Sequence, residues 1–441
     1  MILTFAFLVI LFKNPRNALI FFIGILVAIP YSWGVSEYFH LYLKIGSIRI
    51  RIQELMFTFL LILYFFYLLK FKKIKISNLK VDILNVCFLG ILIIYFFVGI
   101  FNSSFDFIFG DIRVLIYYCL PFLLYYFLKS NKDDNLLVIK TLIISSILFS
   151  IITIGLFYFS DTLFKGFMAS TQWEGAKRLS FTNSLMVVIL MPVAFNKQIA
   201  QIEGKWIFYL RFSIVMLLFT ILLSKSINTI VIVFFVFLVL INLEVFKKKK
   251  KKNTLIKIVM LAFTIGIFFL FLNSFSGENR FSNTLISDTN NKLKIALTNP
   301  DELNSWQSRI ITNSVAIEEF YDNKWGYGLG KTFQTFIQNG ELAQLNSLYI
   351  DNAIITIINK IGILGAFVFF SFLIVTLLVM LHYARISEKR NKSILYGFCV
   401  SYVGILLSMI STAHIFVNPI IISLVCLIYY LAYVQYKLSK N

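Results

Sequence analysis

Charged side chains are scarce in this chain, so those bordering its apolar runs carry most of the chemical information. Asp351 stands in SLYIDNAIITIINK, a segment otherwise apolar enough to enter a membrane. An aspartate half-buried there has a raised pKa unless a cation compensates, which suits general-base work. A hydrogen bond to a helix end, or pairing with an arginine, is the plainer alternative. Arg309 lies upstream in SWQSRIITNSVAIEEFYDNKWGYGLGKTF, where a polar helical stretch runs into Gly326, Gly328 and Gly330. A guanidinium fork holds two phosphate oxygens at once, and glycines permit tight turns or positive φ. The glycines serve equally as a bend, and with no strand before them a dinucleotide-binding fold is rejected.

Further basic residues border the same side of the apolar runs: Arg113, Lys177, Arg178, Lys225, Arg280 and Lys331. As a set with Arg309 they point to a phosphate or pyrophosphate pocket, although snorkelling or ion pairing accounts for any single one. Asn352 adjoins Asp351, and His414 in STAHIFVNP is a pocket residue or a helix-end residue. Glu318 and Glu319 are second-choice bases, and Trp173, Trp306 and Trp325 offer rings that could stack on sugars. The three histidines are scattered, and the four cysteines (Cys87, Cys119, Cys399 and Cys426) lie in apolar stretches without a CxxC, so neither a metal nor a disulfide is expected. Walker, HExxH, GxSxG and kinase patterns are missing, so no cofactor is expected and the reaction must draw its energy from the substrate.

The elements that must hold these residues follow from composition. Of 441 residues, 59% are hydrophobic and only 14% charged, and the mean hydropathy is +0.84. That is too apolar for a soluble fold, and the apolar runs are continuous rather than alternating, so an all-α integral membrane protein is expected. Crossings are expected at about 18–33, 52–69, 81–101, 112–128, 136–159, 181–196, 206–223, 226–246, 254–274, 361–381, 393–412 and 419–436, with residues 1–12 interfacial or a thirteenth. No cleavable signal peptide is convincing, because Lys13 and Arg16 follow that run. The net charge of +20 reflects lysine clusters at 247–252, 70–80 and 385–392, which alternation puts on one side, the cytoplasm, rather than nucleic-acid binding. The other side receives the loops at 34–51, 102–111, 160–180 and 275–345. The chain thus divides into a bundle at 1–274, a large extracytoplasmic loop at 275–345 with a helix near 308–320, and a C-terminal part at 346–441. In that last part residues 346–360 lie at the interface, or dip into it, before the 361–381 crossing.

Four stretches bear a likeness to a known family. They are KRLSFTNSLMVVILMP with Arg178, LSKSINTIVIVFF with Lys225, SRIITNSVAIEEFYDNKWGYGLGKTF with Arg309, and DNAIITIINKIGILG with Gly362 and Gly365. In order and placement they resemble the O-antigen polymerase and ligase superfamily, the Wzy-type polysaccharide polymerases, and the resemblance covers most of the chain in topology. It implies a metal-independent glycosyltransferase of the bacterial inner membrane that joins polyprenyl-pyrophosphate-linked oligosaccharide units. A flippase and a chain-length regulator are the expected protein partners. It assigns Arg178 and Arg309 to the pyrophosphate, with Arg113 and Lys225 in support, and Asp351 to the acceptor hydroxyl; Asn352, His414, Gly328 and Gly330 would line the substrate. Ligases of this superfamily usually carry His-Asn where this chain has Asp351-Asn352, which favours a polymerase. Transfer of finished glycan to a lipid or protein acceptor, and a lipid or glycan transporter, are the competing expectations.

Overall fold

A computed structural model describes residues 2–31, 41–45, 48–71, 78–159, 171–173, 176–178, 181–224, 227–247, 304–338, 342–410 and 414–440. The expected crossing at 254–274, most of the six-lysine run, Lys225 and Arg280 lie outside the described residues, as do the side chains of Lys177, Arg178 and His414.

The chain is a helical membrane protein. Among the described residues, seven helices are long and apolar enough to cross a bilayer. The first elements are α1 (Ile2–Lys13), α2 (Pro15–Ala28), α3 (Ile52–Phe71), α4 (Leu79–Asn102), α5 (Phe105–Leu115), α6 (Leu120–Phe127) and α7 (Lys132–Phe159). They are followed by α8 (Met186–Phe195), α9 (Lys205–Ser224), α10 (Ile227–Lys247), α11 (Asn304–Asp322), α12 (Ala353–Ile386), α13 (Lys389–Leu407), α14 (His414–Val417) and α15 (Pro419–Lys440). Three antiparallel hairpins interrupt them: β1–β2 (Tyr42–Ile45, Ile48–Arg51), β3–β4 (Thr171–Trp173, Ala176–Arg178) and β5–β6 (Phe333–Gln338, Leu342–Ser347). Each hairpin falls in a loop that the charge pattern assigns to the outer face.

Prolines set several boundaries. α2 starts with Asn14 as its cap and Pro15 as its first residue, where a missing N–H costs nothing. It stops at Ala28, five residues before the expected end of that crossing. Ile29, which precedes Pro30, is extended (φ −96°, ψ 120°), as the proline ring requires of its neighbour. The crossing expected at 112–128 begins earlier, at Phe105, and tightens to a 3₁₀ turn over Ile116–Cys119 just before Pro121.

The ends of the helices sort into two groups. Asn78, which caps α4, donates to Tyr383 Oη near the end of α12, and Ser439 of α15 bonds Ser387. These are the ends flanked by the lysine clusters. At the other end, Asn183 just ahead of α8 donates to the carbonyls of Leu26, Val27 and Ile29, supplying partners to the end of α2. The interior between them is apolar and aromatic, with Phe57 stacked on Tyr117 at 4.3 Å and Phe88, Tyr118 and Phe369 fully buried together.

α12 is broken near its start. Gly362 has φ 62° and ψ −178° inside an otherwise helical run. The interfacial segment expected at 346–360 is thus a short helix from Ala353, distinct from the crossing that follows the break. A break at membrane depth needs other partners for the freed backbone groups, and the glycine turn after α11 supplies them. Tyr327 N–H donates to Asn359 O at 2.8 Å and Gly328 N–H to Lys360 O at 3.0 Å, while Ile363 N–H donates to Lys324 O at 3.1 Å. Leu329 N–H then donates to Tyr95 O of α4 at 3.0 Å.

Candidate functional site

Arg309 and Asp351, 42 positions apart, meet: Arg309 Nε lies 2.7 Å from Asp351 Oδ2. Each side chain is close to half exposed (43% and 48%), so the pair faces open space rather than the core. α11 presents Arg309, and the Asp351 side chain stands one residue before the cap of α12. Asn352 is that cap: its Oδ1 accepts the N–H groups of Ile354 and Ile355 at 3.0 and 3.2 Å. Its side-chain carbonyl is therefore committed to starting the helix.

A second polar cluster lies nearby, of which only Arg113 was singled out from the sequence. Glu54, 4% exposed in the first turn of α3, accepts from Tyr31 Oη at 2.5 Å and from the Arg51 backbone N–H at 2.9 Å. Arg51 Nη1 is 3.5 Å and Arg113 Nε 3.8 Å from Glu54 Oε1. The Arg51 guanidinium also lies over the Tyr31 ring at 3.8 Å, a cation–π contact that holds it in place. Arg113 Nη1 reaches the Arg49 carbonyl at 3.5 Å, tying α5 to the β1–β2 hairpin. Arg113, expected on charge grounds, is thus at the mouth of the bundle beside a carboxylate.

Tyr349 links the two clusters. Desolvation and then the Asp351 carboxylate hold its phenol above the ordinary range, while Arg51 pulls it down. Arg51 and Asp351 are therefore both within electrostatic reach of one hydroxyl, which stays a neutral hydrogen-bond donor at physiological pH.

The glycine turn forms the bend that its glycines allow. Gly328 and Gly330 do have positive φ, 96° and 84°. Their N–H groups are used by the chain: Gly328 donates to Lys360 O, and Gly330 donates to Asp111 Oδ2 at 2.7 Å. The same Asp111 receives Lys360 Nζ at 2.6 and 2.5 Å, in a pair whose members are 0% and 5% exposed. The turn is a clamp joining α4, α5 and α12, and it fixes the segment that carries Asp351 against the helix that carries Arg113. Lys331, another of the expected cations, is paired with Glu319 at 3.0 Å.

Of the remaining expected residues, Arg178 lies on β4 opposite Thr171, three residues before Phe181, whose ring packs on Phe149. Its strand therefore leads into the end of the bundle where Asn183 holds α2. His414 opens the short α14, whose Ile415 carbonyl accepts Tyr118 Oη at 2.7 Å. Among the described residues, no group of three or more His, Cys, Asp or Glu could hold a metal ion.

The sequence could have pointed to the Glu54 cluster. RIQEL places Arg51, Gln53 and Glu54 directly at the start of an apolar run, and charge at that position is rare unless it is paired or functional. The chain matches no protein-family model and no curated protein.

Proposed function

We propose that this chain is a glycosyltransferase of the bacterial plasma membrane, with about twelve crossings and a large extracytoplasmic loop over 275–345. In this reading it polymerises polyprenyl-pyrophosphate-linked oligosaccharide units into a surface polysaccharide. The observation that carries the reading is the half-exposed Arg309–Asp351 pair, set beside Arg51, Arg113 and Tyr349 at one end of an apolar bundle. A carboxylate among guanidinium groups suits a reaction in which a hydroxyl loses a proton while a diphosphate departs.

The chemistry balances without a cofactor. Asp351 Oδ1, the oxygen not engaged by Arg309 Nε, takes the proton from the acceptor hydroxyl. The acceptor oxygen forms a bond to the anomeric carbon of the donor glycan as the bond from that carbon to the polyprenyl diphosphate oxygen breaks. The electron pair leaves on the diphosphate, whose growing charge Arg309, Arg51 and Arg113 stabilise, with Arg178 and Lys225 as further cations of the same set. Cations already held in place stabilise that charge without the reorganisation that water would need. The proton then passes from Asp351 to solvent through its exposed side.

The test is polymer length in strains carrying Asp351→Ala, Arg309→Ala or Arg178→Ala at normal expression. Loss of long polymer with accumulation of single lipid-linked repeats is expected. Long polymer from the Asp351 and Arg309 variants would remove the basis of the reading, and accumulation of finished lipid-linked polymer would indicate a ligase instead.

A further inference from the structure

One side of α11 is both apolar and exposed among the described residues. Thr312 and Ala316 are its buried side, and Ala316 shares a small core with Phe333, Ile350 and Ile355. At 3.6 residues per turn, Ile310, Ile317 and Tyr321 fall within about 40° of one another on a different side. All three are exposed, Tyr321 by 66%. Further round the helix come Glu318 and Asp322, with Ile311 between them, and these are exposed too. α11 therefore has a buried side, an apolar exposed side and a side that carries carboxylates.

Both ends of this helix are held at the mouth of the bundle. Near its start Arg309 pairs with Asp351, and Leu348, just ahead of that aspartate, lies against Gly110 of α5. Just past its end, Lys324 O accepts from Ile363 N–H, and Trp325 O accepts from Tyr95 Oη at 2.5 Å. From Arg309 to Asp322 the helix rises about 20 Å at 1.5 Å per residue. A helix standing upright on the bundle could not keep both ends at its mouth, so α11 lies along the outer face.

The level of that face is the level of lipid. α4 runs on from Tyr95 to Asn102, which puts Tyr95 about 10 Å inside the end of a crossing helix. Trp325, bonded to it there, is 69% exposed. Ile363 and Leu364, just past the break at Gly362, are exposed as well, as is Phe367 a turn further into the crossing. A ring exposed at that depth meets lipid, and tryptophan and tyrosine concentrate where head groups give way to acyl chains. Ile310, Ile317, Tyr321 and Trp325 follow one another at helical spacing, so the apolar side of α11 is continuous with the lipid-facing surface of α12.

We propose that α11 is seated in the outer leaflet as an interfacial helix. Ile310, Ile317, Tyr321 and Trp325 lie at the boundary of head groups and acyl chains, and Glu318 and Asp322 face water. Helices of this kind bury their apolar side about 5–10 Å deep. With carboxylates on the neighbouring side, the seating is driven by burial of hydrocarbon rather than by attraction to anionic lipid. Part of the large loop is then bound to the membrane, and Arg309, which shares α11, is kept at the bilayer surface. The inference uses the membrane fold and not the polymerase reading, so it stands whatever the chain catalyses.

The test uses single copies of the whole protein in nanodiscs of phosphatidylethanolamine and phosphatidylglycerol. Nitroxide labels are placed one at a time through Ile310→Cys, Ile317→Cys, Tyr321→Cys, Glu318→Cys and Asp322→Cys, in a chain whose own cysteines are replaced by alanine. Oxygen concentrates in hydrocarbon and a nickel chelate stays in water. The ratio of oxygen to nickel collisions should be at least about fivefold higher at 310, 317 and 321 than at 318 and 322. Equal ratios at all five positions overturn the proposal. So do labels at 310, 317 and 321 shielded from both reagents, which would mean that protein covers this side. Lipids with brominated acyl chains should also quench about half or more of the tryptophan emission that Trp325→Phe removes. Emission that bromine leaves untouched overturns the proposal. This second measurement keeps the native cysteines, so it decides the matter should the cysteine-free chain fail to fold.

Discussion

Replacing Lys360 by methionine tests the clamp most directly. Methionine keeps most of the length and loses the ammonium, so Asp111 is left 5% exposed with the Gly330 N–H as its remaining partner among those described above. Removing one member of a buried ion pair costs about 3–5 kcal/mol, because the other charge stays buried without compensation. The second step is Lys360→Met with Asp111→Asn. The amide oxygen of asparagine can still accept from Gly330, and no uncompensated charge remains. An unsatisfied buried amide costs about 1–3 kcal/mol, so keeping that acceptor matters. The double variant should recover most of the loss and return to within about 1–2 kcal/mol of wild type. The assay is reversible unfolding of the purified protein by titrated SDS, followed by circular dichroism, completed as a double-mutant cycle. A loss under about 1 kcal/mol for Lys360→Met, or a double variant no better than the single one, would refute the ion-pair argument.

Other outcomes follow from the same geometry. Gly328→Ala puts a Cβ 2.3 Å from Gly99 N at φ 96°, so a loss of at least about 2 kcal/mol is expected, read as a lower SDS midpoint. Asn183→Ala strips the end of α2 of the donor to three carbonyls, at about 1–3 kcal/mol, and chymotrypsin cleavage after Tyr31 should rise. Asp351→Asn removes a charge that raises Tyr349, so the Tyr349 phenol should ionise at lower pH. Phenolate absorbance, differenced against Tyr349→Phe in each background, reads this, and no downward shift would separate the two residues. Arg309→Lys should not rescue Arg309→Ala in polymer length, since an ammonium lacks the planar fork; wild-type polymer from the lysine variant counts against a diphosphate contact.

Much of the helical architecture was legible in the sequence because hydrocarbon leaves the backbone few options. Long apolar runs gave helices near the expected positions, and Asn14, Asn78 and Asn352 mark starts by a local rule of capping. The early stop of α2 at Ala28 was also legible, from Pro30, but hydropathy alone runs past it. The three hairpins were harder to see, because short strands in polar loops show little alternation. The Arg309–Asp351 meeting was readable as chemistry but not as geometry, since 42 residues separate the two. The roles of Gly328 and Lys360 could not be read from spacing. Positive φ was predictable at the glycine, but the carbonyl its N–H would meet belongs to a helix whose break appears only when the fold is assembled.

The clamp at Gly362 ties the turn after α11 to α12 and α4 in a way that limits how either side can be exchanged. A chimaera that imports a foreign segment in place of 324–330 leaves the carbonyls of Asn359 and Lys360 and the amide of Ile363 bare at the mouth of the bundle. The graft would also have to follow a path that the host's Gly362 and Gly99 admit, since a Cβ at either would lie 2.2 Å from a carbonyl oxygen of the present turn. A segment exchange in this region must therefore keep 324–330 intact or rebuild the helix that the turn completes.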